Sequence, residues 1–158
     1  MGTDPDFPRA GLWRRLAALL YDCFLVGAIW MLLGYVVELV AGTDSNRLVD
    51  GRVQTDPVVD AILFSLMLLS AAGFYIWFWT RNGQTLGMLA WRMQLQSTRG
   101  GPVSWHQGLL RCVAAWPSFF LLGIGYLWMY FDGDGDAFHD KLSQTRVVVL
   151  PKSASLIK

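Results

Sequence analysis

Charge is scarce in this sequence: Asp, Glu, Lys and Arg make up 16% of its 158 residues, where an average soluble domain carries about 25%. With 54% hydrophobic residues, it holds more apolar surface than one water-soluble core of this size could hide. Thirteen Lys and Arg against twelve Asp and Glu leave a formal net charge of +1. No polar stretch interleaves basic and aromatic residues, so nucleic acid is not an expected partner. Cysteine and histidine are rare too. Cys23 and Cys112 both fall in apolar runs, where a lone Cys packs as a small apolar residue. No CxxC occurs, and His106 and His139 lie far apart, so neither a metal site nor a cofactor is expected.

Catalytic patterns are missing as well. The segment Gly83-Gln84-Thr85-Leu86-Gly87 lacks the lysine and spacing of a phosphate loop. The polar segments hold no nucleophile with a base beside it. Asp22 and Asp60, the acidic pair of the first two apolar runs, belong near opposite faces of a bilayer, too far apart to share a proton. The chain therefore does not read as an enzyme.

Long apolar runs are what the sequence has. The first, Leu16 to Ala41, is interrupted only by Asp22 and Glu38. It exceeds the roughly 20 residues a helix needs to cross the hydrocarbon core and far exceeds the apolar stretch of a signal peptide. The second, Val58 to Thr80, has Asp60 as its only charge and ends in Trp77, Phe78, Trp79 and Arg81, an aromatic belt and a basic anchor. The third, Leu109 to Phe131, carries Arg111 near its start and is broken by Pro117 and by Gly123-Ile124-Gly125. Two readings of it stand, one kinked span or a helical hairpin turning at the glycines.

Sidedness follows from the loops. Residues 81–107 contain Arg81, Arg92 and Arg99 and no acidic residue, whereas 42–57 sets Arg47 and Arg52 against Asp44, Asp50 and Asp56. With Arg9, Arg14 and Arg15 ahead of the first span, the positive-inside rule puts the N-terminus and the 81–107 loop in the cytoplasm. Within that loop Trp91-Arg92-Met93-Gln94-Leu95-Gln96 alternates with the period of a half-buried strand. A second β-rich run, Thr145 to Leu150, follows the third segment. Pairing of the two would require one side of the membrane for both and favours the hairpin, with a cytoplasmic C-terminus.

An ionisable residue within a span costs about 2.5–3.5 kcal/mol on insertion scales and is a functional candidate by default. Asp22 is that residue. Arg15 lies seven positions before it, on the same helix face and about 10 Å away along the axis, too far for direct pairing. Glu38 and Asp60 sit near the outer mouth. Asp22 is either a buried structural partner, the favoured reading, or a cation or proton site. Asp132, Asp134 and Asp136 imitate the start of a calcium loop, but Ala137 and Ser143 stand where Gly and Glu are required, so a solvated acidic turn is expected.

The motifs resemble those of the RDD domain family of membrane proteins, named for one arginine and two aspartates. The resemblance starts at Ala10-Gly11-Leu12-Trp13-Arg14-Arg15 and runs to Tyr21-Asp22, continues through Gly83-Gln84-Thr85-Leu86-Gly87-Met88, and closes at Phe138-His139-Asp140 and the strand after it. It implies that Arg15, Asp22 and Asp140 are the family arginine and aspartates, and it covers about residues 10–150. One departure is the acidic Asp132, Asp134 and Asp136 before His139, where relatives tend to be basic. The family implies a bacterial membrane location, with cation/proton exchange proposed for some members.

The expectation is an all-α integral membrane protein: a bundle of three long transmembrane segments (16–41, 58–80, 109–131) with a small cytoplasmic β element, between tails 1–9 and 151–158. It would be a multi-pass protein of the bacterial inner membrane. Arg15 should meet Asp140 or Asp132, with Thr85 and Thr145 supplying hydrogen bonds to that pair; Arg14, Gly87 and His139 complete the candidate network. Two functions are carried forward. One is transport of a monovalent cation or proton through Asp22, which at this size requires a homo-oligomer. The other is a non-transporting scaffold or accessory subunit that touches anionic lipid or a membrane partner protein through the basic loop.

Overall fold

The computed structural model describes residues 7–42, 45–120 and 124–151. The chain divides into two compact units, one made of Met1–Asp22 with Tyr75–Lys158, the other of Cys23–Phe74. Two long helices run between them along the sequence.

Helix α1, Leu12–Ala41, is a 30-residue run dominated by Leu, Ala and Val. It ends where Gly42 adopts a positive φ of 81° while its N–H reaches back to the Glu38 carbonyl at 2.9 Å, an ending that glycine accepts without a Cβ clash. Helix α2, Pro57–Arg81, has 25 residues. Pro57 suits the first helical position, and the Asp56 carboxylate accepts the Val58 N–H at 2.8 Å. Both helices are long and apolar enough to cross a membrane, and only 6% of the most apolar window of each is buried within the protein. The core helix of a soluble protein would be largely covered; here Phe24, Met31, Val40, Phe64 and Leu69 point outward.

In the Cys23–Phe74 unit, the segment read as a plain loop forms a hairpin. Strands β1, Asn46–Val49, and β2, Arg52–Thr55, pair antiparallel. They turn at Asp50-Gly51, both with positive φ, and Asp-Gly is a strong two-residue hairpin signal. Glu38, expected to solvate at the outer mouth, instead accepts from the Asn46 side chain with both oxygens at 2.8 Å, and Asn46 in turn accepts from Thr55. Trp30 Nε1 donates to the Met67 carbonyl at 3.0 Å, tying α1 to α2.

The other unit is built on strands β3, Met93–Ser97, and β4, Thr145–Val149, paired antiparallel with Leu95 opposite Val147. Along β3 the alternate residues Met93, Leu95 and Ser97 are buried, as the period-two pattern predicts. The short helix α3, Leu86–Ala90, precedes β3. Among the described residues the third apolar segment is helical on both sides of residues 121–123. Helix α4, Trp105–Phe120, has 16 residues, and after it come α5, Ile124–Leu127, a 3-10 turn at Trp128–Tyr130, and α6, Phe138–Leu142. Among the described residues, α1 and α2 are the helices long and apolar enough to cross a membrane. Ala10, Ala18, Trp79, Met88, Met93, Leu95, Val103 and Val147 form the apolar core of this unit.

Candidate functional site

Asp140 is fully buried, on the first turn of α6. Arg15 Nη1 donates to its Oδ2 and Arg111 Nη1 to its Oδ1. Ala137 N–H adds a bond to Oδ2 at 3.0 Å. Burial by itself would raise the Asp140 carboxyl, but the Arg111 and Arg15 cations outweigh it and hold the group well below the usual carboxylate range. Arg15 also donates through Nε to the Ala10 carbonyl at 2.9 Å. Arg111 lies 5.1 Å above the Trp79 ring and donates to Thr145 Oγ1 at 2.9 Å, and Thr145 shares a 2.7 Å hydroxyl contact with Ser143.

Of the partners considered for Arg15, the structure selects Asp140. Asp132 pairs instead with Lys141, which pulls its carboxyl below the ordinary value. Asp136 pairs with Arg9 at 3.0 Å; burial nonetheless raises its carboxyl, the Arg9 cation opposing. The acidic turn is therefore tied into the fold by ion pairs at all three aspartates, that of the exposed Asp134 with Lys141 being long at 3.9 Å. Arg14 is exposed and lies outside the network.

Asp22 occupies a separate cradle. The Thr85 hydroxyl donates to its Oδ2 at 2.6 Å and the Gly87 N–H to its Oδ1 at 2.9 Å. Thr85 also caps α3, accepting the Met88 N–H at 3.1 Å. The two threonines therefore do not both serve the Arg15–Asp140 pair: Thr85 serves Asp22, and Thr145 serves Arg111. Among the described residues no cation lies in ion-pair distance of Asp22.

The glycine-containing motif has a steric origin. A Cβ on Gly87 would lie 2.1 Å from the Ala18 carbonyl oxygen of α1, and one on Gly83, where φ is +68°, would lie 2.7 Å from the Leu95 carbonyl oxygen. Gln84 between them donates to the Met93 carbonyl at 2.7 Å. Bare backbone is what lets α3 approach α1 closely enough to hand its N–H to Asp22.

His139 is 2% exposed. Its Nε2 stands 3.6 Å from Asp140 Oδ1, and its ring meets Tyr126 edge-on at 4.8 Å. Burial and the neighbouring Arg111 push it down to about 3, so it is neutral at pH 7. A pocket of this unit is lined by Arg15, Asp22, Arg111, Tyr75, Trp79 and Tyr126 among others. Arg15 Nη2 and Arg111 Nε find no acceptor among the described residues.

Arg111 is the residue that sequence reasoning left out of the network. Its isolation near the start of an apolar segment was the signal, since an arginine there needs a buried partner.

The family model described as the RDD family matches residues 9–144. The chain belongs to the RDD family. The match takes in Arg15, Asp22, Thr85, Gly87, Arg111 and Asp140, while Thr145, the hydroxyl partner of Arg111, lies just past its end. Comparisons with curated proteins and with solved structures returned no match. Family membership and two exposed apolar helices together indicate a membrane location.

Proposed function

We propose that this RDD-family chain is a non-transporting accessory protein of the bacterial inner membrane, whose buried charges serve architecture. The observation that carries the reading is that the core charges answer one another. Arg15 and Arg111 share Asp140, Arg9 takes Asp136, and both oxygens of Asp22 are occupied by Thr85 and Gly87. Such a network is costly to desolvate, and its usual return is a specified arrangement of segments rather than stability.

The working surface in this reading is the basic one. Arg14, Arg81 and Arg99 are exposed, with Arg81 stacked 5.3 Å from the Trp77 ring and Trp13, Trp91 and Trp105 exposed in the same unit. Exposed Arg with Trp suits anionic headgroups at a cytoplasmic leaflet. Arg92 contributes less, because it donates to the Pro151 carbonyl.

A second reading, proton-coupled cation transport through Asp22, is favoured by the pocket that Asp22 borders together with Arg15 and Arg111. Proteoliposomes loaded with Na⁺, K⁺ or Li⁺ gradients separate the two. The accessory reading expects no proton flux at verified incorporation, and loss of binding to anionic vesicles in an Arg81→Glu/Arg99→Glu variant. Flux that vanishes in Asp22→Asn would instead establish transport.

A further inference from the structure

We infer a re-entrant arrangement in which α4, Trp105–Phe120, dips into the bilayer and the chain returns, by α6, Phe138–Leu142, to the face that α4 entered. The protein then has two spans, α1 and α2, and residues 8–10, 82–104 and 143–151 share one side of the membrane. The inference rests on the membrane location and is independent of which function holds.

The first support is an inverted helix. On α4 the buried side carries Gln107 and Arg111 with Ala114, while Leu109, Leu110, Val113 and Trp116 face outward. A helix on a protein surface in water has the opposite arrangement. An apolar outer face over a polar inner one fits hydrocarbon outside and protein inside.

The second support is where the chain comes back. Arg111, in the second turn of α4, holds Asp140 of α6. Four residues earlier, Gln107 Nε2 donates to the Gln144 carbonyl at 2.9 Å and to Ser97 Oγ at 3.0 Å. The segment from Arg111 to Asp140 therefore starts and ends at one depth. Aromatic residues mark its two ends, Trp105 on entry and Trp128, Phe131 and Phe138 on return, all exposed, as befits an interface.

The third support sets the common side. The Ala10 N–H donates to Val147 O at 2.9 Å, Val149 N–H to Pro8 O at 2.8 Å, and Leu95 N–H to Gly83 O at 2.7 Å. The segment before α1, the segment after α2 and the strand after α6 thus join one small sheet. An open sheet cannot sit in hydrocarbon with lipid-exposed edges, so the whole layer lies outside it, on a single face.

The test is side-specific cysteine labelling in right-side-out and everted vesicles, with Cys23→Ser and Cys112→Ala as background. Thr98→Cys and Asp134→Cys should react with a membrane-impermeant maleimide from the same side, and Val113→Cys from neither. Labelling of positions 98 and 134 from opposite sides would overturn the re-entrant arrangement, as would aqueous labelling of Val113→Cys equal to that of Thr98→Cys. Should the cysteine-free background not fold, Lys141 of the native chain, exposed on α6, reports on the return limb: an impermeant amine reagent must reach it from the side on which Thr98→Cys, made in the native chain, gains label.

Discussion

Arg15 and Arg111 bind opposite oxygens of one carboxylate, that of Asp140, which is shut off from solvent. Two cations on one anion make the acid the member whose loss is felt most. Its removal leaves two buried guanidinium groups facing each other, whereas removal of Arg111 leaves a simple pair.

Asp140→Asn is accordingly expected to destabilise the protein by about 3–5 kcal/mol, the cost of breaking a buried pair, and Arg111→Gln by less. Thermal unfolding midpoints in detergent micelles check the order. Equal midpoints for the two variants would contradict the shared-carboxylate account.

Gly87→Ala is expected to prevent native packing, because the new methyl would meet the Ala18 carbonyl oxygen at 2.1 Å, a rigid backbone atom. Gly108→Ala is the control: its Cβ would meet Ile76 Cγ2 at 3.5 Å and Thr80 Cγ2 at 3.6 Å, ordinary contact. Monodispersity on gel filtration should be lost in the first variant and kept in the second.

Thr85→Val removes two bonds with one hydroxyl, the cap of α3 and the donor to Asp22 Oδ2. The loss of a cap together with an unsatisfied buried acceptor points to a cost on the order of 2–4 kcal/mol. Thr85→Ser should recover most of it, as measured by denaturant or thermal titration of the three proteins side by side.

His139 supplies an acid-sensitive term. Its folded value is depressed from 6.5 to about 3, so below 6.5 the unfolded chain takes up the proton first. The stability of neutral burial is complete above 6.5 and is lost as pH falls toward 3, at up to about 1.4 kcal/mol per pH unit. Asp140, also depressed, adds loss only below the ordinary carboxylate range. His139→Phe keeps a ring against Tyr126 and cannot titrate, so its melting midpoint should change less between pH 6.5 and 4.5 than that of the parent.

The sequence by itself determined the membrane character, the two long apolar helices, the alternation of β3, and the residues of most of the network. These are local properties: an apolar run long enough to cross lipid, a period of two, an acid where charge is costly. The Asp50-Gly51 hairpin was legible too, through its turn residues, although the acidic and basic residues around it made the segment read as a solvated loop. Only the tertiary structure decided the pairings. Arg15, Arg111 and Asp140 lie on α1, α4 and α6, and no periodicity reports which of several acids an arginine will reach once three segments meet. Asp22 turned from a lone charge into a capped one because Gly87 brings a backbone N–H against α1. That contact depends on the closeness of two helices sixty-five residues apart, a distance in space that distance in sequence does not encode.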